Sequence, residues 1–424
     1  MNYKSMEFGR IPENWDVKTV SEITNLVTDY VANGSFASLA KHVKYKDEED
    51  YAVLIRLMDY NNNFNGNFKY IDKTAYEFLS KSKLYGNEII ISNVGANVGT
   101  VFRCPKLKYK MSLAPNALVV KFKDCDDFYY YWLKSCYGQH MIKSIITGSA
   151  QPKFNKTNFR SMRLPVPPLE IQEKIAGILS LIDKKIEQNK KINNNLEQQA
   201  LVLFRHYFMD FEPYGCCAPS NWSKVSLDDV CTRITDGSHY SPSDVPGAPY
   251  PMYSVKNMET YGFNSTSCKH ITAEDFHKMQ KNDCIPRLND ILVAKDGSYL
   301  KEIFICSEEK DEAILSSIAI FRPNTEVIIP EILLYLLKQP SIRKDVGDNY
   351  VSGSALPRIV LKDFKKYTFL LPPMTEQLKI GAVLHAIRMQ TKENIDEIQN
   401  LSALRDTLLP QLMSGKLDVS DIDL

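Results

Sequence analysis

The second half of the chain repeats the first at a nearly constant spacing. Gly148-Ser149-Ala150-Gln151-Pro152, Phe159 and Pro167-Pro168 return as Gly353-Ser354-Ala355-Leu356-Pro357, Phe364 and Pro372-Pro373, each displaced by 205 residues. The register continues without a gap, so that Gln172, Lys174, Ile175, Leu179, Ile182 and Asn189 meet Gln377, Lys379, Ile380, Leu384, Ile387 and Asn394. The halves also open alike: Ile11-Pro12-Glu13-Asn14-Trp15 resembles Ala218-Pro219-Ser220-Asn221-Trp222, and Thr28-Asp29 resembles Thr235-Asp236, both displaced by 207. One architectural unit is therefore used twice, with pseudo-two-fold symmetry if the units pack together. A chain of 424 residues is also too long for one ordinary core.

Length and charge exclude several classes. No stretch approaches the roughly 18 unbroken apolar residues that cross a bilayer, and Met1 to Arg10 has no apolar core of a secretory signal, so a cytoplasmic location with no membrane contact is expected. The nine cysteines are odd in number and never adopt C-x-x-C spacing, which leaves them as reduced thiols; Cys104 and Cys306, at corresponding places, read as core residues, and no metal is assigned. A net charge of +1 gives no global reason to expect nucleic acid. Locally, Lys143 to Arg163 carries five basic residues and no acid, and the corresponding Lys338 to Lys366 carries seven against Asp345, Asp348 and Asp363. Recurrence at equivalent positions suits a phosphate-facing strip, although a solvated surface could produce either cluster.

Each half reads as a mixed α/β domain of roughly 160 residues. Glu88 to Ser92 and Asp290 to Ala294 are β-branched strand runs, followed by Gly95 or Gly297 and a second run ending at Cys104 or Cys306. Further strands are expected at Ala117 to Phe122 and Ile318 to Phe321, and helices near Asp127 to Lys143 and Pro330 to Val346. The prolines of Leu164 to Pro168 and Phe369 to Pro373 cannot continue a ladder and predict an extended stop before a helix. Beyond them, Ile171, Ile175, Ile178, Ile182, Lys185, Asn189, Ile192, Leu196, Gln199 and Leu203 alternate steps of four and three. Leu384, Ile387, Thr391, Asn394, Ile398, Leu401, Arg405, Leu408 and Leu412 do the same. This is the pattern of a coiled-coil seam with Ile175, Ile182, Asn189, Leu196, Ile387, Asn394, Leu401 and Leu408 along it, in two helices of about 55 to 60 Å. Asn189 and Asn394 would lie either on the seam, fixing register, or on its solvated edge. Gly415 turns the chain off the second helix, and Asp418, Asp421 and Asp423 form an acidic tail. The resulting divisions are a first domain over 1–168, a helix over 169–210, a second domain over 211–373, and a second helix with the tail over 374–424.

Catalytic constellations are missing. Gly415-Lys416 lacks the rest of a phosphate-binding loop. Neither Pro-Pro pair has the preceding Asn or Asp and following Tyr with which amino-methyltransferases hold an exocyclic amine. Asp290, Glu308 and Lys310 loosely mimic a nuclease set, but the first half matches only Asp290, through Glu88. His42, His140, His206, His239, His270, His277 and His385 are scattered, without a Ser or Cys partner at a recognisable spacing.

Two divergent halves, each closed by Gly-Ser-Ala-x-Pro, a Pro-Pro stop and a Gln-containing long helix, resemble the specificity subunit of type I restriction-modification enzymes. The resemblance covers essentially the whole chain and is carried by Trp15 and Trp222, Gly148 to Pro152, Gly353 to Pro357, Pro167 to Gln172, Pro372 to Gln377 and Phe208 to Pro213. It implies an α/β (α+β) fold of two target-recognition domains joined by two long antiparallel helices, each domain reading one part of a split double-stranded DNA sequence. It also implies a chain without an active site or cofactor of its own. The partners would be two modification subunits, which use S-adenosylmethionine to methylate adenine N6, and two restriction subunits, which use ATP and magnesium. An orphan DNA-binding regulator and a symmetric protein scaffold are the other readings.

Residues shared by the halves cannot read two different sequences. Ser149, Lys153, Lys156 and Arg160, with Ser354, Arg358, Lys362 and Lys365, therefore suit phosphate or the shape of the domain. Base readers are expected where the halves diverge, in Asp29 to Tyr85, Gly237 to Arg287 and the hairpin loops, with Asn93, Asn97, Arg103, Lys295, Asp296 and Ser298 as candidates.

Overall fold

The β-branched runs become the central strands of two sheets with one topology. In the first half an antiparallel sheet has the order Thr24–Asp29, Ala117–Phe122, Ile89–Ser92, Val101–Arg103. In the second half the order is Cys231–Asp236, Ile318–Pro323, Ile291–Ala294, Ile303–Ile305. Each is joined by a smaller sheet containing one parallel pair, Ala52–Ile55 with Lys110–Leu113 or Tyr250–Tyr253 with Ala313–Ile314. The central strands are buried on both faces, which is why they are continuously apolar rather than alternating. Two helices follow in each half, Asp126–Lys134 and Cys136–Ser144, then Pro330–Leu337 and Pro340–Asn349.

The computed structural model describes residues 2–7 and 9–422; Asp423 of the acidic tail lies outside the described residues. Two compact units divide the chain, one of residues 1–188 with 397–424, the other of 189–396. These units cut across the linear divisions expected from the sequence. Each long helix, Leu169–Phe208 and Met374–Met413, contributes part of its length to each unit. The cause is burial: Ile175, Leu179 and Leu412 enter the core of the first unit, and Ala200, Phe204, Phe208 and Leu384 that of the second. At 40 residues each helix is about 60 Å long. In the first unit their segments run antiparallel, with Lys185 paired to Glu397 at 3.3 Å and Asp183 to Arg405 at 3.0 Å.

Two local expectations need correction. Pro165 does not stop the ladder, since Arg163–Val166 pairs with Asp16–Thr19 and Pro165 lies opposite Val17; in both halves the ladder ends just before Pro-Pro, the second as Thr368–Leu371 paired with Ser223–Ser226. A two-stranded ladder leaves one strand edge free, so a missing N–H can face outward without cost. Second, one line of the buried stripe of the first helix lies a residue beyond the expected seam, at Gln172, Leu179 and Ile186 in place of Ile171, Ile178 and Lys185. Asn193, Ala200, Phe204 and Phe208 are buried, while Ile192 is 46% exposed. Gln172, Leu179, Ile186, Asn193 and Ala200 recur every seven residues, the spacing of a left-handed supercoil.

The repeated glutamines are structural. Gln172 and Gln377 are each 1% exposed, and their amides donate to the carbonyls of Pro167 and Pro372 at 2.9 and 3.0 Å. Each fixes the Pro-Pro segment against its own helix. Cys104 and Cys306 are buried thiols whose titration burial pushes well upward.

Candidate nucleic-acid interface

In both units the Gly-Ser-Ala-x-Pro segment clasps the hairpin loop of the main sheet. Gly148 has φ +86°, and a Cβ there would lie 2.9 Å from the Gln151 carbonyl oxygen; at Gly353 the values are +90° and 2.7 Å, to Leu356. Only glycine closes this turn without strain. The turn presents the proline carbonyl to the hairpin, so that the Gly95 N–H donates to Pro152 at 2.9 Å and the Gly297 N–H to Pro357 at 2.8 Å. Phe154 N–H reaches the Asn93 carbonyl at 3.1 Å, and Ile359 N–H that of Lys295 at the same distance. Asn93 also donates its side-chain amide to the Phe154 carbonyl at 3.2 Å, and is thereby committed to the clasp.

The end of the first sheet strand brings a carboxylate to this clasp, and each unit neutralises it from a different element. In the first unit Lys156 lies 2.8 Å from Asp29, which also accepts the Ala32 N–H at 2.9 Å. In the second unit Lys295 reaches Asp236 at 2.5 Å, with His239 at 3.3 Å from the same oxygen. The repeat partner of Lys156 is Leu361, and Lys295 stands where the first unit has Asn93. The charge is conserved through a swap of position. Asp29 was expected only as the first residue of a base-reading stretch and Asp236 not at all, although the Thr-Asp pair displaced by 207 is the signal that marks them.

The candidates therefore separate into two groups. Lys156, Arg160 and Lys295 tie each unit together; Arg160 donates to the Val27 carbonyl at 2.9 Å, and Lys295 is 8% exposed. Asp296 is half-buried, between Lys295 at 3.9 Å and Arg358 at 3.6 Å. Facing solvent are Lys153, Arg358 and Lys362 with Ser149 and Ser354 on the turns, and Asn97 and Ser298 on the hairpin loops. Lys365 is half-exposed, 3.8 Å from Asp228. In the second unit a cleft of about 350 Å³ opens among Thr235, Asp236, Lys295, Lys362 and Lys365. Arg103 is not brought to this place. It sits at the far end of its strand, opposite Ile89, where it pairs with Asp127, donates to the Asn87 carbonyl at 2.8 Å and covers the Tyr130 ring at 4.5 Å.

The expected seam residues are divided between the units. Ile175 is buried and Ile182, Leu401 and Leu408 half-buried in the first; Asn189 and Asn394 are buried and Leu196 and Ile387 half-buried in the second. Asn394 donates its amide to the Asn193 Oδ1 at 2.7 Å, and Asn193 donates to the Thr391 carbonyl at 3.4 Å. Among the described residues no cluster of three or more His, Cys, Asp or Glu is arranged to hold a metal ion, and no helix is long and apolar enough to cross a membrane.

Comparison with known proteins matches both halves to one family model. The type I restriction modification DNA specificity domain aligns over residues 12–198 and again over 219–401. The chain is 24% identical to the type I restriction enzyme MjaIX specificity subunit of Methanocaldococcus jannaschii, over 99% of this chain and 97% of that one. It is 22% identical to the EcoKI specificity subunit of Escherichia coli, over 97% and 91%. Among solved structures, the S subunit of a type I restriction-modification system from M. genitalium aligns over 94% of this chain and 96% of that one, with TM-score 0.55 at 16% identity, a likeness of fold.

Proposed function

The chain belongs to the type I restriction-modification DNA specificity family, which matches it twice, and from that premise we propose that each unit reads one part of a split double-stranded DNA target. It is a specificity subunit and is not itself catalytic; methylation and cleavage lie in other subunits. The two long helices set the separation of the two parts, and the chain positions two modification and two restriction subunits around them. S-adenosylmethionine, ATP and magnesium belong to those partners, and this chain holds no cofactor.

The observation that carries the reading is the doubled clasp, which places Lys153 and Arg358 at equivalent exposed positions beside a hairpin loop that differs between the units. Exposed cations on a shared scaffold grip the backbone common to all DNA, and divergent loops beside them read sequence. Lys153, Arg358, Lys362 and Lys365 meet phosphates, Ser149 and Ser354 lie beside them, and Asn97 and Ser298 face base edges. Lys156, Arg160 and Lys295 hold the frame.

Sequencing the methylated bases of cells with and without the gene tests the whole reading. A two-part adenine-methylated motif should vanish with the gene. A methylation pattern indifferent to the deletion, together with binding to a DNA operator, would favour an orphan regulator instead.

A further inference from the structure

We infer that the asparagine-rich loop 61–67 of the first unit is a base-reading element for adenine, an inference that rests on the DNA-recognition reading and narrows it to named side chains. The loop, Asn-Asn-Asn-Phe-Asn-Gly-Asn, holds five asparagines, all exposed, and no charged residue occurs from Tyr60 to Phe68. Such a loop adds nothing to an electrostatic grip. What it offers is carboxamides, each with a donor and an acceptor, the pairing that matches adenine N6 and N7 in the major groove.

The loop is held firmly at its base. Tyr60 stacks on Phe102 at 4.7 Å, and Phe64 packs against both rings. Arg56 grips the buried Asp59 through Nε at 3.0 Å and Nη2 at 2.5 Å, and donates to the Asn67 carbonyl at 2.9 Å. Positive φ at Asn63, Phe64, Gly66 and Asn67 gives the turn a defined shape. That geometry by itself favours asparagine at 63 and 67, but not at 61 and 65, which lie outside the left-handed region. Among the described residues only Asn62 spends its amide inside the loop, on the Asn65 carbonyl at 3.1 Å. A rigid support with free carboxamides loses little entropy on binding.

The loop also starts on the rim that carries the hairpin. Ala114 N–H donates to the Ile55 carbonyl immediately before Arg56, and Asn93 N–H donates to Asn116, each at 3.1 Å. The second unit anchors its corresponding loop in the same way, Tyr253 stacking on Phe263 at 4.2 Å and Phe263 meeting Phe304 at 5.0 Å. Three of its polar side chains, however, are spent internally. Tyr261 donates to the Asn193 carbonyl of the long helix at 3.2 Å, Asn264 to Glu259 at 2.8 Å, and Asn257 is buried as a cap for Ser254. A shared anchor with a different exposed chemistry is what two unlike half-sites require.

The test is selection from a randomised duplex library by the full chain assembled with its modification subunits, comparing wild type with Asn61→Ala/Asn65→Ala. The variant should lose on the order of tenfold discrimination at an A·T pair in one part of the motif. The other part, the affinity for random-sequence duplex and the salt dependence should be unchanged. Asn65→Asp, which keeps the size but removes the donor, should lose discrimination at an A·T pair of the same part. An unchanged motif in both variants, or a loss confined to G·C pairs, overturns the assignment of the loop alone. A wild type that enriches no motif overturns the DNA-recognition reading and this inference with it.

Discussion

Lys295 and Lys156 perform one task from two places, and that exchange is open to experiment. Asp236 is flanked by Lys295 and His239, so Lys295→Asn removes its main partner and leaves a half-buried carboxylate short of charge. We expect the variant to destabilise the second unit by about 1–3 kcal/mol. Adding Leu361→Lys reinstates the arrangement of the first unit and should recover much of the loss in calorimetric unfolding. A double variant no more stable than the single one rules out the exchange. The exposed cations behave differently, because the one ion pair that Lys153 or Arg358 makes among the described residues is a long one, Arg358 to Asp296 at 3.6 Å. Lys153→Glu and Arg358→Glu should weaken binding to every duplex alike, and each should reduce the slope of log affinity against log salt by about 1. A loss restricted to one sequence would remove these residues from the phosphates. The distinction between the two groups was not legible beforehand, since Lys156 finds its partner 127 residues away and Lys295 finds its own at 59. A cluster of basic residues marks a surface, but only long-range contact shows which members are already spent.

At the scale of elements, legibility followed the number of partners an element has. Ala117–Phe122 was read with its full extent because a central strand is buried along most of its length and so apolar, here everywhere but at the exposed Lys121. The long helices were equally plain, since Pro-Pro and a sustained apolar period bracket them. Their buried phase was plain on one line of the first helix, through Ile175 and Asn189, and a residue off on the other, which runs through Leu179, Ile186 and Asn193. Toward its end the first helix answers to the core of the second unit as well as to its helical neighbour, and Phe204 and Phe208 are buried there with Leu203 half-buried against them. The same shift makes Asn193 the partner of Asn394. Replacing either asparagine with leucine leaves the facing atom of the other, Asn193 Oδ1 or Asn394 Nδ2, buried without this partner, which should cost about 1–3 kcal/mol. Replacing both removes the polar pair altogether and should be nearly neutral, with looser specification of register as the consequence. Thermal unfolding of the two single variants and the double one measures the coupling. Strict additivity would show that the 2.7 Å contact does not link them.

For the molecule as a whole, if each unit reads one part of the target, the duplication separates what is read from how far apart it is read. Both long helices pass from one unit to the other between Gln188 and Asn189 and between Asp396 and Glu397, so both can be lengthened there without touching a sheet or a clasp. Seven residues added to each helix extend it by about 10 Å, close to the rise of three base pairs, and turn it by only about 20°. Three base pairs rotate B-DNA by roughly 100°. The added length therefore favours a longer gap, while the rotational mismatch opposes the full three and weakens binding. The expected methylated motif keeps the letters of both parts, with a gap lengthened by one to about three base pairs and lower occupancy. Altered letters with the old gap would place sequence reading in the helices rather than in the units. The original gap and occupancy, retained by the lengthened protein, would mean that the helices do not set the spacing. Either result would separate the duplicated architecture from the geometry of the target.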